Sequence, residues 1–184
     1  MSRLMRRRLT AGVLAAVISP IVLAGCANTV GGTAMKAGTG PARGDNSAEK
    51  YPNLLKECDV LTADVLAKTV GADPLDIQST FVGAVCRWQA LNPAGLIDIT
   101  RFWYEQGSLN NERKVAESLK YPTENKTING VASIIMRKEG PSGGCGVASD
   151  AAGVVGWWIN PQAPGIDACG QAIKLMELTL ATNS

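Results

Sequence analysis

Five cysteines and no histidine decide which chemistry this chain of 184 residues can carry. Without His there is no Ser-His-Asp or Cys-His relay and no His-ligated metal. Ser133, Ser142 and Ser149 therefore lack a base to activate them. Glu105, Glu112 and Glu117 would be the acids of a glycoside hydrolase. Glu112 and Glu117, however, stand five apart on an expected helix and share no face cleanly, so solvated surface is the simpler reading. Asp73 and Asp76 fit no calcium loop of the EF-hand type. Gly143-Gly144-Cys145-Gly146 lacks the Lys and the following helix of a phosphate loop. No catalytic residue, metal ligand or cofactor is assigned.

Cys26 differs from the other four cysteines in what precedes it. Arg3 and Arg6-Arg7-Arg8 open the chain, and Leu9 to Leu23 follow as 15 residues with only Thr10 and Ser19 polar. As a helix that run rises ~22 Å, short of a hydrocarbon core of ~30 Å. It reads as the apolar region of a signal peptide and not as a spanning helix. It ends in Leu23-Ala24-Gly25-Cys26, which resembles the bacterial lipobox. At such a site the sulfur receives a diacylglyceryl group, the chain is cut before the Cys, and the freed amine is acylated. Two or more acyl chains hold a protein stably at a membrane, where one does so only marginally. The expectation is an extracytoplasmic protein, lipid-anchored to the cell membrane through Cys26. Arg6-Arg7-Arg8 also permits twin-arginine export, although the rest of that motif is poor and the general secretory route is favoured.

The formal charge of +2 counts four arginines of the leader. Without them 14 bases face 16 acids, a net of −2, which is no footing for a counterion-releasing nucleic-acid interface. Residues 1–25 are thus expected to be a lipoprotein signal peptide. Residues 26–50, rich in Gly and small polar residues, should form the lipidated Cys and a flexible tether. Residues 51–184 should form one globular domain.

An even number of cysteines remains in that exported domain, the arithmetic of two disulfides. Zinc is the poorer alternative, for there is no C-x-x-C spacing and no His. Four Cys allow three connectivities. Nearest-neighbour pairing, Cys58–Cys86 and Cys145–Cys169, is the simplest and is the one expected; crossed pairings stay open.

The elements that would position these residues are legible in outline. Thr62 predicts a helix N-cap, with Leu61 and Leu66 as a staple and Gly71 as the C-cap. Val82 to Ala90 alternates, with Ala84, Cys86 and Trp88 on one face and Val85, Arg87 and Gln89 on the other. Asn92-Pro93-Ala94-Gly95 predicts a turn into a strand from Leu96 to Tyr104. Ser108 predicts a second helix, stopped by Pro122, with Leu109, Val115, Ala116 and Leu119 pointing roughly one way. Asn129-Gly130 predicts a hairpin joining Lys126–Ile128 to Val131–Arg137. Another hairpin is expected from Cys145–Ser149 and Val154–Ile159. Asp167 predicts the cap of a last helix with Cys169, Ala172, Ile173, Met176 and Leu180 as its apolar stripe. Nine elements in the order α, β, β, α, β, β, β, β, α with short connections indicate an α+β class: a single, mostly antiparallel sheet with packed helices.

Five of the nine aromatic residues fall in two places, Phe102-Trp103-Tyr104 and Trp157-Trp158. They are either cross-strand core packing or a candidate aromatic binding surface for an apolar or sugar ligand or a partner protein. Because Val154 to Ile159 shows no alternation, either helices cover both faces there or one Trp is exposed.

Cys58-x-x-Leu61-Thr62, Cys86-Arg87-Trp88, Phe102-Trp103-Tyr104 with Gly107-Ser108, Glu112-Arg113-Lys114, Ile128-Asn129-Gly130 and Cys145-Gly146-Val147 occur in one order. Together they resemble an uncharacterised family of mycobacterial and actinobacterial lipoproteins over residues 51–184. That resemblance implies the lipid anchor at Cys26, disulfides among the other four Cys and a PsbP-like α/β/α sandwich; it supplies no catalytic residue. The function expected first is a non-enzymatic binding or adaptor module of the envelope. Its partners would be the membrane, through the acyl chains, and an envelope protein, lipid or glycan. A lipid or glycolipid carrier, needing a dry cavity, comes second, and a cell-wall hydrolase third.

Overall fold

A computed structural model describes residues 58–82 and 85–182 of the chain. The leader, Cys26, the tether and Ala84 lie outside the described residues. Seven strands form one sheet: β1 (Ile77–Val82), β2 (Val85–Asn92), β3 (Gly95–Tyr104), β4 (Thr123–Ile128), β5 (Val131–Arg137), β6 (Cys145–Asp150) and β7 (Val154–Pro161). Their spatial order is β1-β2-β3-β7-β6-β5-β4, with every neighbouring pair antiparallel. The class is therefore α+β. Two meanders, β1 to β3 and β4 to β7, meet along β3 and β7 in the middle of the sheet.

Among the described residues three α-helices accompany the sheet: α1 (Ala63–Val70), α2 (Leu109–Ser118) and α3 (Ala168–Ala181). Each starts where a side chain satisfies an orphan N–H of the first turn. Thr62 Oγ1 accepts from Val65 N–H at 3.3 Å, Ser108 Oγ from Asn111 N–H at 3.2 Å, and Asp167 Oδ1 from Gly170 N–H at 2.8 Å. Gly71 ends α1 in the left-handed region at φ 71°. Asn129 and Gly130, at φ 47° and 79°, give both positive dihedrals that a tight β4–β5 hairpin turn demands.

The helices divide between the two sides of the sheet. Leu66 and Val70 of α1 and Ala172, Leu175, Met176 and Leu180 of α3 pack with the inward residues of β2, β3, β6 and β7 into the main core. Ala116 of α2 packs with Phe102, Ile134, Met136, Ala148 and Val154 into a smaller core on the opposite face. The layering is helix, sheet, helix. Cover on both sides accounts for the missing alternation in β6 and β7, whose residues are buried on either face.

Three expectations need correction. β1 is a strand of its own, paired with β2 from Ile77↔Ala90 to Val82↔Val85, where no separate strand was expected. The apolar stripe of α2 is only partly inward: Ala116 is buried, but Val115 and Leu119 are each 52% exposed. On α3 the buried set is Ala168, Ala172, Leu175, Met176, Thr179 and Leu180, while Cys169 and Ile173 are half-buried.

The disulfides join Cys58 to Cys86 and Cys145 to Cys169, with Cα–Cα separations of 5.6 and 5.0 Å. The first ties the chain before α1 to β2, and the second ties β6 to the first turn of α3. Each ties a buried cysteine of the main core, Cys86 or Cys145, to a half-buried one packed against it, Cys58 or Cys169.

Candidate functional site

The five aromatic residues do not form one surface. Side chains of a strand alternate between faces, so Trp103 and Trp157 point into the α1/α3 core while Phe102, Tyr104 and Trp158 point to the α2 side. Trp157 is fully buried, its ring 5.8 Å from that of Trp88 and its Nε1–H donating to Thr179 Oγ1 at 2.9 Å. Trp103 is buried, with its Nε1–H on the carbonyl of Ala152 at 3.0 Å. Phe102 is buried beneath Tyr104, with ring centroids 5.2 Å apart. Phe102, Trp103 and Trp157 are thus packing residues; of the expected surface only half-buried Trp158 and exposed Tyr104 reach solvent. Arg101, beside them in sequence, is buried on the α1/α3 face opposite Trp157 and Cys86.

Trp158 belongs to a different site. α2 covers Phe102 at the end of β3 and leaves the starts of β1 and β3, the outer face of β2 and the end of β7 open. Two adjoining clefts occupy that face. The larger, about 720 Å³, is lined by polar side chains of the open strands, among them Gln78, Arg87, Gln89, Asp98, Asn160 and Gln162. The smaller, about 250 Å³, runs between α2 and the sheet, with Val115, Leu119, Tyr121, Met136 and Trp158 as its apolar walls and Glu112 at its edge. Thr100, Lys138 and Asn160 line both, so the two are continuous.

The floor is built by glycines. Gly146 faces Trp158 across the β6–β7 pair. A Cβ at Gly146 would stand 2.4 Å from Cε2 and 2.7 Å from both Cδ2 and Cζ2 of the indole. Those atoms are the central bond of the bicycle and one neighbour, so the strand meets the flat of the ring and not its edge. A Cβ at Gly144 would stand 2.6 Å from Asn160 Oδ1. The two glycines thus leave a trough in which the indole and the carboxamide recline. Tyr121 closes one side of the indole, its ring 5.7 Å away and tilted by 58°.

Beyond the trough runs a chain of planar polar groups. Asp98 Oδ1 accepts from Gln89 Nε2 at 2.8 Å, and Asp98 Oδ2 accepts from Gln162 Nε2 at 2.6 Å. Both carboxamides keep their oxygen and one N–H beyond these bonds. On the other flank, burial pushes the Glu112 carboxyl above its usual range. Tyr104 is raised as well, by burial first and by Glu112 second. Glu105 and Glu117 are exposed and do not join the cleft. The family described as a protein of unknown function, DUF3558, matches residues 21–182.

The chain belongs to the DUF3558 family. No curated protein and no solved structure matches it. The cleft of this DUF3558 chain was partly foreshadowed, since Arg87 and Gln89 alternate away from Cys86 and Trp88. One strand face carrying Arg87 and Gln89 was legible; the polar face of the strand beside it, and the reach of α2, which decides how much of that side stays open, were not. Gly144 and Gly146, unreadable as a phosphate loop, carried a signal of another kind: two glycines at i and i+2 leave one face of a strand without side chains.

Proposed function

We propose that this chain is a lipid-anchored protein of the cell envelope, similar to the mycobacterial lipoprotein LprC, acting as a non-enzymatic binding module. The binding surface is the double cleft beside α2. The observation that carries this reading is a cleft of about 720 Å³ lined by side chains with spare hydrogen-bonding groups, a size within the range of ligand sites. The anchor rests on Leu23-Ala24-Gly25-Cys26 after the apolar run. It would hold the domain at the extracytoplasmic face, within reach of envelope proteins, lipids and glycans. The domain reading keeps residues 1–25 as leader, 26–50 as tether and 51–184 as the globular unit.

Two experiments test this. A photo-reactive amino acid at Gln89, in the cleft, is compared in intact cells with one at Lys174, on α3. Discrete adducts from position 89 and none from 174 are expected; equal labelling, or none from either, overturns the reading of the cleft. Cys26→Ser should release the protein from membranes or leave its leader uncut. Normal cleavage with continued detergent-phase partitioning overturns the anchor.

A further inference from the structure

We infer that the double cleft binds a neutral saccharide, with one sugar ring stacked on Trp158 and its hydroxyl groups read by Asn160, Thr100, Gln89 and Gln162. This rests on the cleft being a binding surface and adds the chemical class of what it takes.

The first support is the indole's posture. An indole whose flat face lies on a backbone offers its other flat face outward, and Trp158 is half-buried, not sealed. Such a surface suits a partner that is itself flat and apolar on one side and polar round its rim. A pyranose is that partner: its axial C–H bonds make an apolar face and its hydroxyls radiate from the edge. The half-exposed Val115 and Leu119 of α2 extend the apolar wall on one side of the ring.

The second support is the kind of polar group around the platform. A hydroxyl both donates and accepts, so a site for several hydroxyls needs donors and acceptors side by side. Carboxamides supply both in one plane. Asn160 lies two residues beyond Trp158 on the same face, Thr100 is opposite Trp158, and Asp98 is opposite Asn160. Gln89 is opposite Asp98 on the next strand. Asp98 fixes the Gln89 and Gln162 amides by one N–H each, so their free oxygens and remaining N–H groups are pre-oriented before any ligand arrives. Neighbouring strands lie about 4.8 Å apart, close to the advance of a glycan by one sugar. From Trp158 on β7 through β3 to Gln89 on β2, the polar groups are therefore stepped at the repeat of an oligosaccharide.

The third support is charge. Arg87 and Lys138 stand against Asp98 and Glu112, two cations against two acids. No excess of cations draws a phosphate or a nucleic acid, and no excess of acids draws a basic peptide. A ligand recognised by stacking and hydroxyls, and not by its charge, is what this balance selects.

The test uses the full-length mature protein in detergent, with chitotetraose and mannotetraose as probes. Four indole N–H signals are expected from Trp88, Trp103, Trp157 and Trp158, and Trp158→Phe assigns the last. A saturable shift of the Trp158 signal, with the buried Trp157 signal still, is the expected result for at least one probe. Gln89→Ala, on an exposed side chain, should weaken binding at least fivefold with the spectrum of the free protein kept. Trp158→Ala should weaken it at least tenfold. Absence of saturable binding of either probe overturns the inference, as does binding that Gln89→Ala and Trp158→Ala leave unchanged. If cleft adducts still form in cells while both sugars fail, the binding reading stands and the saccharide does not. If adducts are absent as well, both fall.

Discussion

Gly146 lies under the flat of the Trp158 indole, with room for a hydrogen where any other residue would place a carbon 2.4 Å from the ring. A parallel contact stands on the next strand, where a Cβ at Gly156 would meet Phe102 Cζ at 2.0 Å. Both glycines sit in the sheet, where Gly is ordinarily a weak choice. Here close approach of an aromatic ring explains it.

Gly146→Ala should therefore destabilise the domain by about 1–3 kcal/mol, the usual cost of overpacking a well-filled site. It should also move the indole N–H resonance of Trp158. Gly144→Ala, whose one close contact is the flexible end of Asn160 while the Ile159 carbonyl stands at an ordinary 3.5 Å, should cost clearly less. Urea unfolding of the two variants beside the parent protein checks the order. Equal stability of all three would mean that Trp158 does not rest on Gly146.

These contacts show where the sequence stops being legible. The caps Thr62, Ser108 and Asp167, the Asn129-Gly130 turn and Gly71 act locally, within a few residues, and each is found where its chemistry places it. β1 escaped because Ile77-Gln78-Ser79-Thr80-Phe81-Val82 shows no period-two alternation and is held by its pairing with β2, a tertiary term absent from local pattern. The aromatic run escaped for a related reason. Period-two alternation already separates Trp103 from Phe102 and Tyr104, but which face is covered depends on where α2 and α3 land. Val115 and Leu119 show the same limit: a stripe at helical spacing marks an apolar face, and only the docked position says how much of it the sheet covers.

Glu112 gives a pH prediction with a definite sign. Its carboxyl is raised by burial above the usual value of 4.5 that it regains on unfolding. Between those two values the folded protein binds more protons than the unfolded one. Stability therefore falls as pH rises through that window, and the loss is complete above the folded value. Glu112→Gln removes the effect. The variant should match the parent below the usual carboxylate range and be the more stable of the two at neutral pH. Tyr104, raised in part by Glu112, should ionise somewhat more readily in the variant, which absorbance near the tyrosinate band reads. A variant less stable at neutral pH would show that Glu112 is held by favourable contacts outweighing its burial.

The disulfides close spans of similar size, with sequence separations of 28 and 24. In the chain-entropy view each should contribute about 3–4 kcal/mol. The pairs Cys58→Ser/Cys86→Ser and Cys145→Ser/Cys169→Ser should each lose most of that in urea unfolding, a large part of a stability of ~5–15 kcal/mol. Cys145 is buried beside Val147 in the main core, so its replacement by Ser also buries a new hydroxyl. Cys86 is equally buried in the same core, so the two pairs should cost about the same. Peptide mapping without reductant gives the independent check: a linked peptide joining Cys86 to Cys145 or to Cys169 would contradict the pairing.

Trp157 and Thr179 form a polar contact in the middle of the α3 packing. The indole N–H of fully buried Trp157 donates to Thr179 Oγ1 at 2.9 Å, and that hydroxyl donates to the carbonyl of Leu175 at 2.8 Å. Trp buried without a partner for its N–H would forfeit a hydrogen bond to water. Thr179→Val keeps the shape and removes the acceptor, leaving the N–H orphaned. Its expected cost is about 1–3 kcal/mol. Thr179→Ser keeps the oxygen and drops one methyl, at about 1 kcal/mol. The order of the two variants separates hydrogen bonding from volume: Val preserves bulk better, so Ser can be the milder change only if the hydroxyl matters more. Trp157→Phe removes the donor, and Thr179→Val made on that background should cost less than on the parent. A double-mutant cycle by urea unfolding should show that coupling at 0.5 kcal/mol or more. Additive costs, or a Thr179→Ser variant less stable than Thr179→Val, would mean that α3 is held on the sheet at this point by packing alone.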